Sequence, residues 1–160
     1  AYERLSWTTK YRPKRVKDVV NNDEAKKAFL EWINSWKKGK KAALIYGPPG
    51  TGKTVLVEAV ANEFHYDLLE INASEKRSGD VIKRIVGAAI SQADLLGRKR
   101  LILLDEIDGI NLSEDIGAIY AIQEIIKDTN YPVVLTANNP WDPKIRPARE
   151  LCKLIEFKRL

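Results

Sequence analysis

Cysteine occurs once in these 160 residues, as Cys152, and histidine once, as His65. A single cysteine excludes an internal disulfide and every two-cysteine metal or redox motif, and it points to a reducing intracellular setting. One histidine leaves almost no material for a His-based zinc site or a catalytic triad, so His65 is expected at the surface or at a helix end. No apolar run approaches the roughly 18 residues of a membrane span, and the basic, aromatic N-terminus lacks a secretory pattern. Methionine is absent, as expected of an excised or processed piece. There is no internal repeat and no low-complexity tract. What remains, 44% hydrophobic and 31% charged, suits one soluble domain with a proper core. The net charge of +5 is uneven: residues 1–41 hold twelve Lys/Arg against five Asp/Glu, and the other 119 hold fifteen against seventeen. This N-terminal basic excess is open to nucleic acid, an acidic partner or a solvated helix face.

The stretch that organises the chain is Gly47-Pro48-Pro49-Gly50-Thr51-Gly52-Lys53-Thr54. It fills every fixed position of the phosphate-loop pattern G-x-x-x-x-G-K-[ST], between the apolar run Ala42–Tyr46 and a second run beginning at Val55. Glycines let the backbone curl so that successive N–H groups face an anion, and the positive end of the following helix adds to that field. Lys53 is expected at the terminal phosphates of a nucleoside triphosphate, and the Thr54 hydroxyl on Mg²⁺.

Around this loop the chain reads as strands alternating with helices. Residues 1–20 carry no clear period. From Asp23 the residues Ala25, Ala28, Phe29, Trp32, Ile33 and Trp36 recur at three and four, which predicts a helix ended by Lys37-Lys38-Gly39. Further helices are expected to about residue 64, over 80–96 and over 113–128, the last with Ile116, Ile119, Tyr120, Ile122 and Ile126 as its apolar stripe. Strands are expected at about 42–46, 66–71, 101–104, 133–135 and 154–157. The alternation predicts an α/β P-loop NTPase core, a five-stranded parallel sheet flanked by helices, with ligand beyond the carboxyl ends of the strands.

Leu101–Leu104 delivers two carboxylates to a strand end. Asp105 is expected to organise Mg²⁺ beside Thr54, and Glu106 to polarise an attacking water as general base. Asp108 is a further carboxylate without a role. Asn138, at the end of the fourth strand, is placed to hold the γ-phosphate or the water, although Asn139-Pro140 is a turn signal in itself.

Together these residues resemble the AAA+ ATPases, and within them the clamp loaders, most specifically the replication factor C large subunits of the short archaeal form. The resemblance runs nearly end to end. It rests on Trp7 through Lys14, the double-proline phosphate loop, Asn72-Ala73-Ser74, Leu104 through Gly109, Thr136-Ala137-Asn138, and Arg146-Pro147 through Phe157. It implies an ATP-hydrolysing subunit that, with small subunits, opens a sliding clamp (PCNA) and loads it onto primer-template DNA, using ATP and Mg²⁺ and no membrane. The setting implied is the archaeal cytoplasm at the nucleoid, or the nucleus of a eukaryote. Residues 1–41 would form the adenine-side segment and helix, and 42–160 the core, as one structural domain. Tyr11, Arg12, Pro13, Val19 and Val20 would border the adenine, and Pro48, Pro49, Gly50, Thr51, Gly52, Lys53, Thr54 and Val55 would hold the phosphates. Arg77, Lys83 and Arg84 would contact DNA, and Ile90, Gln92, Leu95 and Leu96 the clamp.

Two departures from the family carry information. Small subunits place an arginine where this chain has Leu151, so this subunit is expected to receive a neighbour's arginine, with Arg146 and Arg149 as nearby substitutes. The sequence stops about where a helical lid would begin, so weak or absent ATPase activity is expected of this piece alone. A replication initiator or helicase-loading ATPase, and a nucleotide-binding scaffold that does not hydrolyse, are the alternative readings. Glu106 speaks against the scaffold.

Overall fold

The computed structural model describes residues 15–19, 21–75, 78–111 and 117–158. Within them five strands form one parallel sheet: β1 (Ala42–Tyr46), β2 (Asp67–Asn72), β3 (Arg100–Asp105), β4 (Val133–Ala137) and β5 (Cys152–Glu156). Their order is β2-β3-β4-β1-β5. Helices α1 (Asp23–Ser35), α2 (Lys53–Glu63), α3 (Gly79–Leu96) and α4 (Gly117–Asp128) flank the sheet, and the one-turn helix α5 (Arg146–Arg149) precedes β5.

The inner strands β1, β3 and β4 are dominated by apolar runs because both faces of the sheet are covered there and alternate residues serve opposite faces, whereas the edge strands β2 and β5 also carry the exposed Glu70, Lys153 and Glu156. Leu44, Ile102, Leu104 and Leu135 share one core with Ile82 and Val86 of α3 and Ile119 and Ile122 of α4. Ala43, Ile45, Leu101, Leu103 and Val134 share the other with Phe29 and Trp32 of α1 and Leu56 and Val60 of α2. Phe29 stacks on Trp32 at 5.6 Å between centroids, and the Trp32 indole N–H donates to the Lys41 carbonyl at 2.9 Å. Each such apolar side chain, fully buried, contributes roughly 1.5–3 kcal/mol. Helix α1 is thereby fastened to the sheet.

Helix ends follow the sequence signals. Ser78 caps α3 by accepting from the Val81 N–H at 3.2 Å, and Gly97 ends it in the left-handed conformation at φ 65°. His65 is exposed just beyond α2, as expected. Two expectations need correction. Tyr120 is not part of the α4 stripe; it is 55% exposed, and Ile125 packs inward with Ile119, Ile122 and Ile126. The buried face continues three residues on from Ile122 to Ile125, while Tyr120 and Glu124 share the solvent side. Ile116 and the expected start of this helix lie outside the described residues. Strand β5 begins at Cys152 and not at Leu154, because its pairing with β1 starts at Ala42 opposite Cys152.

Candidate nucleotide-binding site

The phosphate loop leaves β1 at Tyr46 and enters α2 at Lys53, at the carboxyl end of the sheet. Its first glycine is required by contact: a Cβ on Gly47 would lie 2.0 Å from the Phe157 carbonyl oxygen. That approach exists because the Phe157 N–H donates to the Tyr46 carbonyl at 2.7 Å and the Gly47 N–H to the Ala137 carbonyl at 3.2 Å. The loop root is thus stitched to β4 on one side and to the exit of β5 on the other. Gly52 stands at φ 93°, a conformation costly to any other residue, and turns the chain into α2.

Lys53 is 8% exposed, and its ammonium uses all three donors. It bonds the Gly47 carbonyl at 2.8 Å, the Pro48 carbonyl at 2.9 Å and Asn138 Oδ1 at 2.9 Å. Burial lowers its pKa, opposed by Asp105, then Asp108, then Glu106. A triphosphate entering the loop would compete for this ammonium with neutral carbonyls, which are weaker partners than an anion.

Thr54 donates to Asp105 Oδ1 at 3.1 Å. A hydroxyl beside a carboxylate is a hard oxygen pair. Among the described residues no three His, Cys, Asp or Glu converge as a metal cage. Two protein oxygens suit Mg²⁺, which keeps its waters and takes phosphate oxygens for the remaining positions. Thr136, inside β4, donates to Asp105 Oδ1 in a short hydrogen bond and accepts from the Glu106 N–H at 2.9 Å. It is wholly buried, so a single hydroxyl orients both acids.

Glu106 adopts a left-handed backbone, φ 56° and ψ 51°. Its carboxylate accepts from Ser74 Oγ at 3.0 Å and from Asn72 Nδ2 at 3.4 Å. Asn72 ends β2 and Ser74 follows it, on the opposite side of β3 from the loop. Gly109 permits this meeting, since a Cβ there would lie 2.6 Å from Ser74 Cβ. Asp108 accepts from the Asn138 and Asn139 N–H groups at 3.1 and 2.9 Å.

The residues expected at the phosphates and metal therefore come together as two hydrogen-bonded pairs, Lys53 with Asn138 and Thr54 with Asp105, side by side because Lys53 and Thr54 are neighbours in the chain, with Glu106 adjoining Asp105 through Thr136. Val19 is buried in the core beside α2. Tyr11, Arg12, Pro13, Val20 and Arg77 lie outside the described residues. On α3, Lys83 is paired with Glu124 of α4 at 2.5 Å, Arg84 and Gln92 are exposed, and Ile90 packs on the core. Leu95 and Leu96 are 85% and 51% exposed, an apolar end without a covering element among the described residues. Arg146 is engaged with Glu150 at 2.8 Å. Arg149 donates to the Pro140 carbonyl at 2.8 Å and lies over the Trp141 ring at 5.2 Å. Sequence reasoning missed Thr136 and Ser74 as contacts of the acids. Both lie within the motifs Thr136-Ala137-Asn138 and Asn72-Ala73-Ser74, so the signal was present.

Comparison with known proteins agrees with this geometry. The model of the ATPase family associated with various cellular activities (AAA) matches residues 43–159. The replication factor C large subunit of Thermofilum pendens is 54% identical over 160 residues, spanning 98% of this chain and 39% of that protein. The namesake proteins of Staphylothermus marinus and Aeropyrum pernix are 53% and 52% identical, with 98% of this chain and 38% and 34% of theirs covered. The chain thus spans under two fifths of the length of these relatives. The family model covers well over half of the chain, together with the phosphate loop, both acids and Asn138, and the chain belongs to the AAA family of ATPases.

Proposed function

We propose that this chain is the ATP-binding and hydrolysing core of a clamp-loader large subunit. The observation that carries the reading is the pairing of Lys53 with Asn138 and of the adjacent Thr54 with Asp105 at the carboxyl ends of β1, β3 and β4, with Glu106 joined to Asp105 through Thr136. The loop N–H groups and Lys53 hold the β- and γ-phosphates. Thr54 and Asp105 hold Mg²⁺, which when bound neutralises charge on those phosphates. Glu106 accepts a proton from water as the water oxygen bonds to the γ-phosphorus, and the bond from that phosphorus to the β–γ bridging oxygen breaks. Asn138 contacts the γ-phosphate or the attacking water.

The finer assignments follow the resemblance to replication factor C large subunits. Tyr11, Arg12, Pro13, Val19 and Val20 border the adenine. Arg77, Lys83 and Arg84 meet DNA phosphates, and Ile90, Gln92, Leu95 and Leu96 meet a sliding clamp, a role supported by the exposure of Leu95 and Leu96. A neighbouring subunit supplies an arginine, since Leu151 cannot stabilise phosphoryl charge and Arg146 and Arg149 are engaged within the chain. ATP favours the conformation that binds clamp and primed DNA, and hydrolysis releases them. The test mixes the full-length protein with small subunits, clamp and primed DNA. Phosphate release should rise when clamp and DNA are both present; no stimulation would count against the clamp-loading role.

A further inference from the structure

We propose that Asp108 is a positioning residue for hydrolysis, holding Asn138 in register with the acid pair; the inference rests on the hydrolytic reading above. The backbone ladder between β3 and β4 runs through Ile102–Val133, Leu103–Val134 and Leu104–Leu135. Both strands continue further, to Asp105 and to Ala137. Beyond Leu104 and Leu135 the connection passes to side chains, and two of them bridge the strand ends. Thr136 reaches back to Asp105 and to the Glu106 N–H. Asp108 reaches forward, one carboxylate oxygen accepting both the Asn138 and Asn139 N–H groups.

Local sequence explains how Asp108 gets there. Glu106 takes a left-handed turn, and the 3-10 turn Ile107–Gly109 follows at once. Ile107 is wholly buried and anchors that turn, which leaves Asp108 facing the end of β4. The two N–H groups belong to the segment leaving β4, so one shared acceptor oxygen fixes the backbone from which the Asn138 side chain projects. That side chain meets Lys53 at 2.9 Å. Asp108 touches no reacting atom in this scheme. It acts through Asn138, and it makes Asn138 and Glu106 parts of one rigid unit.

The roles of charge and of hydrogen bonding separate in two variants. Asp108→Asn keeps an oxygen able to accept both N–H groups and removes the charge; Asp108→Ala removes both. In the assembled full-length protein, kcat for ATP is expected to fall about 10- to 100-fold in Asp108→Ala, a loss typical of misplaced groups. Nucleotide affinity should stay within about threefold of wild type, and Asp108→Asn should retain most of the rate. A double-mutant cycle supplies the second readout: adding Asp108→Ala to Asn138→Ala should cost almost nothing further. Asp108→Asn falling as far as Asp108→Ala, an unchanged kcat in Asp108→Ala, or additive losses in the cycle would each overturn the proposal. Absence of hydrolysis by the wild-type assembly would instead refute the hydrolytic reading itself.

Discussion

For the general-base role proposed for it, Glu106 is tied on the wrong side. Its carboxylate accepts from Ser74 and Asn72 at the end of β2, whereas the phosphate loop follows β1, two strands over from β3. The tie is weak. The single Ser74 proton is shared between Glu106 Oε2 at 3.0 Å and Asn72 Oδ1 at 2.5 Å, and the Asn72 amide bond is long at 3.4 Å. Hydrogen bonds to charged groups contribute about 1.5–3 kcal/mol when well formed. Exposed and divided as these are, the pair amounts to roughly 1 kcal/mol. Releasing it should raise the population of free Glu106, and the hydrolysis rate, about fivefold, since about 1.4 kcal/mol is tenfold. Single-turnover phosphate release from the assembled protein, comparing wild type with Ser74→Ala and with Ser74→Ala/Asn72→Ala, measures it. A rate unchanged or lowered in both, at unaltered nucleotide affinity, would refute the view of this contact as a restraint.

Three further outcomes follow from the packing. Gly47→Ala forces a Cβ against the Phe157 carbonyl; overpacking of this kind costs about 1–3 kcal/mol, which lowers Tm by several degrees and impairs nucleotide binding, as thermal melts with and without ATP would show. Ile122→Ala, at a fully buried position, should cost about 2–5 kcal/mol, while Tyr120→Ala on the solvent face should stay within about 0.5 kcal/mol in urea titrations. Burial pushes the Cys152 thiol from 9.0 up to about 12. The thiol should therefore resist alkylation in the native state. With the folded pKa raised, its contribution to stability is full below about pH 9 and is lost as pH rises toward about 12. Cys152→Ala should remove that loss, seen by comparing denaturation midpoints at both ends of this window.

Much of the site is legible in the sequence because its chemistry is fixed by spacing. Lys53 and Thr54 must follow the loop glycines directly, and Asp105 and Glu106 must close an apolar strand. Alternation of strand and helix was enough for the parallel sheet, since such connections leave few alternatives. The contacts that adjust the site are of another kind. Thr136 to Glu106, Ser74 to Glu106 and Asp108 to Asn138 join residues about thirty positions apart. They arise only because β2 and β4 flank β3, a strand order that apolar patterning does not encode. Tyr120 shows a smaller gap: a large aromatic beside Ile119 reads as core until the direction of the helix face is known.

The most direct test of the account is Glu106→Gln in the assembled full-length protein, following binding and hydrolysis of ATP in parallel. The substitution keeps the shape of the side chain and removes its ability to take a proton. Binding within about threefold of wild type is expected, with hydrolysis lower by about 100-fold or more, the range that a general base supplies. Unchanged hydrolysis would contradict the account and leave the loop as a binding site alone.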